Sequence, residues 1–502
     1  MMKHIWLTGA AALALIPAPL LAQQALPEQA PSYPTSSGLD QPVDDGKPTD
    51  ATPAPTGNAV LDRLNALETR IKQLETRNAE LEQAAAETQT RVEKVEVRAA
   101  TSIQPGPAPT FADVGGNFTF KPRGTFQIDW AGYNERAGGY DYNNGTDIRR
   151  ARFGFDGTFY KKFKYRIEAE YVKQAVNLLD AYVQYTGFKN LTITVGQHKA
   201  PYGLEANSTD ALNSFLERGM ANNAFGAVGA ERRVGVSVTY ATDKINAQLG
   251  VFGAGEGIQR NSVKPTEAYG VNGRLVWEPI LEDGKIVHLG VSAYRTTGFV
   301  TTGSAPTATA AASAPIKDRV VLSDRPDTRV DGGNIESLNI DNVRNATYVG
   351  GEAAFVYKRF SVQAEYNRLH LDRFTGVDPT FDGYYVFGSV FLTGESRVFK
   401  GGVVDRVKPY NNFDPGKGHW GAFEVLARYD VLNLTDKSFS ALGHRAESVT
   451  GALNWYLNPN VRFIFNYIRF KGENSPLVVA PVSVNGTTAK GDAFATRLQV
   501  DF

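Results

Sequence analysis

The sequence predicts an all-β transmembrane barrel of about 16 antiparallel strands, preceded by an N-terminal α-helical coiled coil. Three observations predict it. Most of the chain after residue 113 alternates apolar and polar side chains with a period of two. The apolar parity often ends in an aromatic residue, as at Trp130, Tyr171, Tyr240, Trp277 and Tyr467. Girdles at the two faces of a bilayer require that placement. The chain finishes with Phe494, Thr496, Leu498, Val500 and Phe502 facing one way and Arg497, Gln499 and Asp501 the other.

The 502 residues exceed one ordinary globular domain and suffice for a large barrel with an appendage. Cysteine is absent. That excludes disulfide scaffolds, thiolate metal sites, catalytic thiols and lipidation of an N-terminal cysteine. Fifty-three basic residues balance 53 acidic ones, so the chain carries no nucleic-acid signature. Residues 1–112 hold 9 Lys/Arg and 13 Asp/Glu, which leaves 44 and 40 for the remainder.

Residues 1–22 read as a signal peptide for export to a bacterial outer membrane. Lys3 and His4 precede an apolar run from Ile5 to Leu21, and Ala22 offers a cleavage position. Pro17 and Pro19 break the run, which argues against a transmembrane anchor. No other stretch reaches about 18 apolar residues, so any membrane crossing is made by strands. Residues 23–58 are rich in Pro, Ser, Thr, Asp and Gly. They have too few large apolar side chains to bury a core and read as a disordered linker.

Residues 59–98 change character. Leucines 67, 74 and 81 occupy heptad position d, and residues 64, 71, 78, 85 and 92 occupy position a. Arg63, Arg70, Arg77 and Arg91 fall at g, with Glu68, Glu75, Glu82 and Glu96 at e. In a parallel coiled coil each g arginine meets an e glutamate of a neighbouring chain. Asn78 at a is a register device that by itself favours a dimer. A coil here suggests contact with a periplasmic partner or the cell wall. A single solvated helix with internal charge pairs is the alternative reading. Pro105, Pro107 and Pro109 mark 99–112 as a linker, and 113–502 behaves as one barrel unit.

Within that unit Ala151, Phe153, Phe155 and Phe159 oppose Arg150, Arg152, Asp156 and Thr158. Leu179, Ala181, Val183 and Tyr185 oppose Asp180, Tyr182 and Gln184. A soluble sandwich also alternates. Here the polar parity carries charges of both signs, as a water-filled lumen would. Short turns at 160–164, 283–284 and 358–359 contrast with long stretches at 297–345 and 401–418, as expected of the two ends of a barrel. A barrel has no free edge, so the last strand must pair with the first, near 116–130.

Several blocks are more specific. They include Arg149-Arg150-Ala-Arg152-Phe-Gly-Phe-Asp156-Gly157, Asp180-Ala-Tyr-Val183 and Gly196-Gln-His-Lys-Ala-Pro201-Tyr-Gly203-Leu-Glu205. Further on come Leu392-Thr-Gly-Glu395-Ser-Arg397, Arg406-Val-Lys408-Pro409 and the closing Arg497-Leu-Gln-Val-Asp-Phe502. From about residue 115 onward the chain resembles the phosphate-selective porin O and P family. The resemblance implies a homotrimeric porin surrounded by outer-membrane lipid, passing small anions such as phosphate or polyphosphate by diffusion.

Period-two parity aims Arg150, Arg152, Arg166, Arg274, Arg428 and Arg462 at the lumen, together with Asp156, Glu168, Glu170, Asp180, Glu424 and Asp430. Selectivity then depends on where the cations cluster. Residues 203–233 are too long for a hairpin turn and contain an apolar patch at Leu212, Phe215 and Leu216. They read as a loop folded into the barrel that narrows it. The pore candidates are Arg149, Arg150, Arg152, Lys199 and Arg218, with Asp180 orienting a nearby lysine or arginine. The alternative for each is a cross-strand ion pair. Parity points Arg149 away from the lumen unless a bulge intervenes.

The six histidines are scattered, and His-Glu-x-x-His, Gly-x-Ser-x-Gly and phosphate-loop motifs are missing. No enzyme activity, cofactor or metal is expected. The competing readings are a general or sugar porin and a structural anchor whose coil tethers a partner.

Overall fold

The computed structural model describes residues 57–104, 106–113, 115–172, 175–253, 269–299, 318–482 and 486–502. The expected signal peptide, and all but the last two residues of the expected linker, lie outside these residues. Gly57–Ser102 forms α1, a helix of 46 residues. This overturns the expected coiled coil. The segment is a single helix, and Leu64, Leu67, Ile71, Leu74 and Leu81 along its heptad seam are exposed rather than packed. Spacings of three and four suit a lone helix as well as a coil. The tether to a periplasmic partner or the cell wall, which rested on the coil, falls with it. The Pro-rich stretch at 99–112 holds the end of α1 and two short strands, Ile103–Gln104 and Thr110–Ala112.

Sixteen strands follow, labelled in chain order: β1 Thr119–Ala137, β2 Gly145–Phe159, β3 Phe163–Val172, β4 Ala175–Phe188, β5 Leu191–Lys199, β6 Arg232–Ala241, β7 Ile245–Phe252, β8 Gly270–Glu282, β9 Lys285–Thr297, β10 Val343–Tyr357, β11 Phe360–Arg373, β12 Thr380–Phe391, β13 Ala422–Asn433, β14 Arg445–Asn458, β15 Val461–Glu473 and β16 Thr488–Asp501. Each pairs antiparallel with the next, and β16 returns to β1 with Arg497 beside Asp129 and Phe494 beside Gly132. Phe502 and Gly124 exchange backbone hydrogen bonds of 3.0 Å at the seam. Closure leaves no strand edge in hydrocarbon, where an unpaired peptide group costs several kcal/mol. Exposed residues such as Phe153, Val183, Val238 and Phe494 face outward, while Arg150, Arg152, Asp180 and Arg497 are buried on the inner parity.

Turns at 160–162, 189–190, 242–244, 283–284, 358–359 and 459–460 lie at one end. The segment 392–421 joins β12 to β13 and therefore lies at that same end. Ser396 Oγ donates to the Lys358 carbonyl in the 358–359 turn at 2.7 Å. The expectation that 401–418 belongs with the long loops of the opposite end is thus corrected. Length does not reveal which end a connection occupies; the parity of the strands it joins does.

The inner face of β9–β13 is not bare. Between β5 and β6 lie α2 (Leu204–Asn207), a 3₁₀ turn (Asp210–Leu212) and α3 (Met220–Gly229). Met220 and Phe225 of α3 are fully buried in a cluster with Tyr202, Tyr294, Tyr348 and Leu432. Burying a side chain such as Phe225 stabilises by roughly 1.5–3 kcal/mol. Tyr294 Oη donates to the Phe225 carbonyl at 2.7 Å, and Met220 N–H donates to Asp430 at 2.9 Å. Gly203 turns the chain inward at φ +54°, and a β-carbon there would come within 2.5 Å of the Glu365 carboxylate. That carboxylate accepts from the N–H groups of Leu204 and Glu205 at 3.0 and 2.9 Å.

The segment between β9 and β10 contains a small hairpin, Val320–Asp324 with Glu336–Ile340. Glu336 is buried there, its Oε1 lying 3.1 Å from His444 Nδ1. Burial pushes the Glu336 carboxyl up to about 8, against a hydrogen bond from Ser337 N–H and with help from Glu473. Burial lowers His444. A docked loop therefore holds a proton that a released loop gives up between the ordinary carboxylate range and pH 8. The contribution of Glu336 to docking weakens as pH rises through that window, whereas the lowered His444 contributes in the opposite sense around its ordinary value. Protection factors across 318–342, taken against the intrinsic exchange rate at each pH, are expected to be lower at pH 8.5 than at pH 5.5, and Glu336→Gln is expected to flatten the difference. An unaltered pH dependence in E336Q would remove Glu336 from this role.

Candidate pore lining

Two carboxylates of the segment between β5 and β6 gather the predicted arginines. Asp210 accepts from Arg152 Nη1 at 2.5 Å, lies 3.5 Å from Arg150 Nε and pairs with Arg218. Glu217 accepts from Arg149 Nε and Nη2 at 2.7 and 3.0 Å, and from Arg497 at 3.1 Å. Arg149 reaches it through a bulge. Gln127 pairs with Arg150 and Ile128 with Ile148, so the ladder skips Arg149. A skipped residue is freed from the strict alternation of its neighbours.

Lys199 Nζ donates to the carbonyls of Ala206 and Ser208, both at 2.8 Å. Asp180 accepts from Arg232 Nε at 2.7 Å and lies 3.8 Å from Arg166. Arg149, Arg150, Arg152, Lys199 and Arg218 thus tie the segment to the wall and to itself. Asp180 stands apart and holds Arg232.

A second segment meets the first from the short-turn end. Arg397 pairs with Glu424 at 2.7 Å, both buried, and Arg274 Nη2 donates to the Gly402 carbonyl at 2.7 Å. Val404 N–H donates to Ser208 Oγ at 3.2 Å. Arg406 bonds Asp501 beside the closing seam. Sequence reasoning quoted Arg397 and Arg406 as motif residues but assigned them no place. The signal was there: a motif in a connection that spans nothing needs another reason to carry buried residues such as Phe399 and Val404.

Beside these segments lies a polar cavity of about 280 Å³ along β1–β7. Arg123, Arg152, Arg166, Lys199 and Arg232 line it, against Glu168, Asp180 and Asp210. Arg123 was not among the predicted residues, although it shares the parity of the buried Thr125, Gln127 and Asp129. A wider groove, about 700 Å³, is lined by Leu275, Trp277, Leu289, Tyr366 and Val386 on the outer surface. These side chains are exposed on the lipid parity, so the groove is no route through the barrel.

A closed antiparallel barrel with an apolar outer parity and a charged inner one defines an outer-membrane porin, a channel for passive solute diffusion. The model of the family described as "Phosphate-selective porin O and P" matches residues 120–502, and the chain belongs to that family. An uncharacterised protein of Caulobacter vibrioides is 31% identical over 382 residues, covering 74% of this chain and 71% of its own length. Porin O of Pseudomonas aeruginosa is 27% identical over 424 residues, covering 77% of this chain and 89% of its own. Among solved structures, an anion-selective porin from Comamonas acidovorans aligns with a TM-score of 0.48 at 13% identity, over 77% of this chain and all (100%) of that one. OmpT of Vibrio cholerae aligns with a TM-score of 0.47 at 11% identity, over 77% of this chain and 98% of that one.

Proposed function

We propose that the chain conducts small anions, phosphate among them, along the β1–β7 side of the lumen, and that residues 203–231 narrow this passage. The observation that carries the reading is the cavity lined by five cationic side chains against three acidic ones. Fixed cations in a confined channel raise the local concentration of anions. The core around α3 supports the same route, because it fills space beside β9–β13. Export through a signal peptide ending near Ala22 belongs to this reading and is supported by the apolar run before it. Inorganic phosphate added to a chloride solution is expected to reduce single-channel chloride current in a planar bilayer, because a more highly charged anion dwells longer among the arginines. Chloride current insensitive to phosphate would remove phosphate from the proposal.

A further inference from the structure

The cavity has a second wall that the anion reading does not use. Gln184 on β4 is register partner to Thr194 on β5, and Thr194 to Ser237 on β6. Thr192 is partner to Thr239, and Thr239 to Gln248 on β7. All but Thr192 of these line the cavity, with the Tyr182 ring beside them. The result is a continuous uncharged row of hydroxyl and amide groups across four strands, next to the arginines. Gln184 Nε2 donates to Thr194 Oγ1 at 3.1 Å, and Ser237 Oγ lies 2.8 Å from His198 Nε2. No described residue hydrogen-bonds the side chain of Thr239 or Gln248, so both face the cavity with their bonding capacity open.

The cations here are also partly neutralised. Arg232 is held by Asp180, Arg152 by Asp210 and Glu170, and Arg123 by Glu168. The remaining excess draws in a singly charged anion without holding it as long as a more highly charged one, so it passes more readily. A row of groups that both donate and accept can replace the hydration of hydroxyls one bond at a time. A solute that displaces ordered water without reproducing its bonds loses affinity. The volume approaches the lower end of small-organic-ligand sites, about 300 Å³.

We infer that the preferred organic solute of this channel is a polyhydroxylated anion of low charge, such as a sugar acid, and that Gln184, Thr194, Ser237, Thr239 and Gln248 discriminate it from anions of similar size without hydroxyls. This rests on the anion reading above. Bi-ionic potentials of the full chain in planar bilayers, chloride against gluconate and chloride against benzenesulfonate, test it. The two organic anions are similar in size and carry one charge each. Gluconate is expected to be at least threefold more permeant. Thr239→Val with Gln248→Leu is expected to bring the ratio near one while chloride conductance stays within twofold. Equal or greater benzenesulfonate permeability in the unaltered protein overturns the inference without recourse to any variant. So does an unchanged ratio in the double variant. Failure of the underlying anion reading is separate: it appears as cation preference in potassium chloride alone.

Discussion

Asp210→Asn is expected to make the channel more anion-selective and the protein less stable. The Asp210 carboxylate meets Arg150, Arg152 and Arg218. Arg152 keeps Glu170 without it, and Arg218 keeps a longer contact with Glu231. Arg150 is left with Gln127 Oε1 at 2.7 Å. Removing one partner from a buried ionic network costs about 3–5 kcal/mol, because the charges left behind are uncompensated. The same uncompensated charge attracts anions. A charge at 4 Å in water contributes about 1 kcal/mol, a factor of about five in local concentration. The reversal potential in a potassium chloride gradient should move further to the anion side, and the temperature at which the folded form disappears on a gel should fall. An unchanged potential in D210N would show that the Asp210 cluster lies off the conduction path.

Arg150→Ala combined with Arg152→Ala is expected to act in the opposite electrical direction. Two cations leave the wall, and Asp210 retains Arg218 alone among these three partners. At about a factor of five per charge, the anion-to-cation permeability ratio should fall roughly tenfold or more, and the reversal potential should approach zero. The pair of experiments separates electrostatics from mere loosening of the loop. Loosening would enlarge the passage in both variants and shift both potentials toward zero. Opposite shifts require that these side chains act through their charge.

Much of the barrel was legible in the sequence because its signal repeats. Each strand needs an apolar outward parity and tolerates charge inward, so sixteen strands restate one rule. The closing strand could be placed because Phe494 to Phe502 alternate up to the last residue. Arg149 could not be placed by that rule, since a one-residue bulge leaves no mark on composition. The heptad of α1 identified a helix but not a partner, because a seam of leucines has the same spacing with or without a second helix. The cluster around α3 leaves a trace in the sequence. Tyr294, Tyr348, Leu369 and Ile468 are buried on the inner side, where a lumen filled only with water would not place large apolar groups. Length alone assigns 401–418 to the long-loop end, whereas the count of strands before it assigns it to the short-turn end. That Asp210 and Glu217 organise the arginines is not legible in the sequence, for a different reason. Ion pairs across some 60 residues of chain depend on how a loop returns to the wall, and no local pattern records that.

The reversal potential of the unaltered protein tests the central claim most directly. With a tenfold potassium chloride gradient across a planar bilayer, the current should vanish at a potential of the sign set by chloride. A potential of the sign set by potassium would contradict the account, because the five cations around the cavity would then not govern what passes.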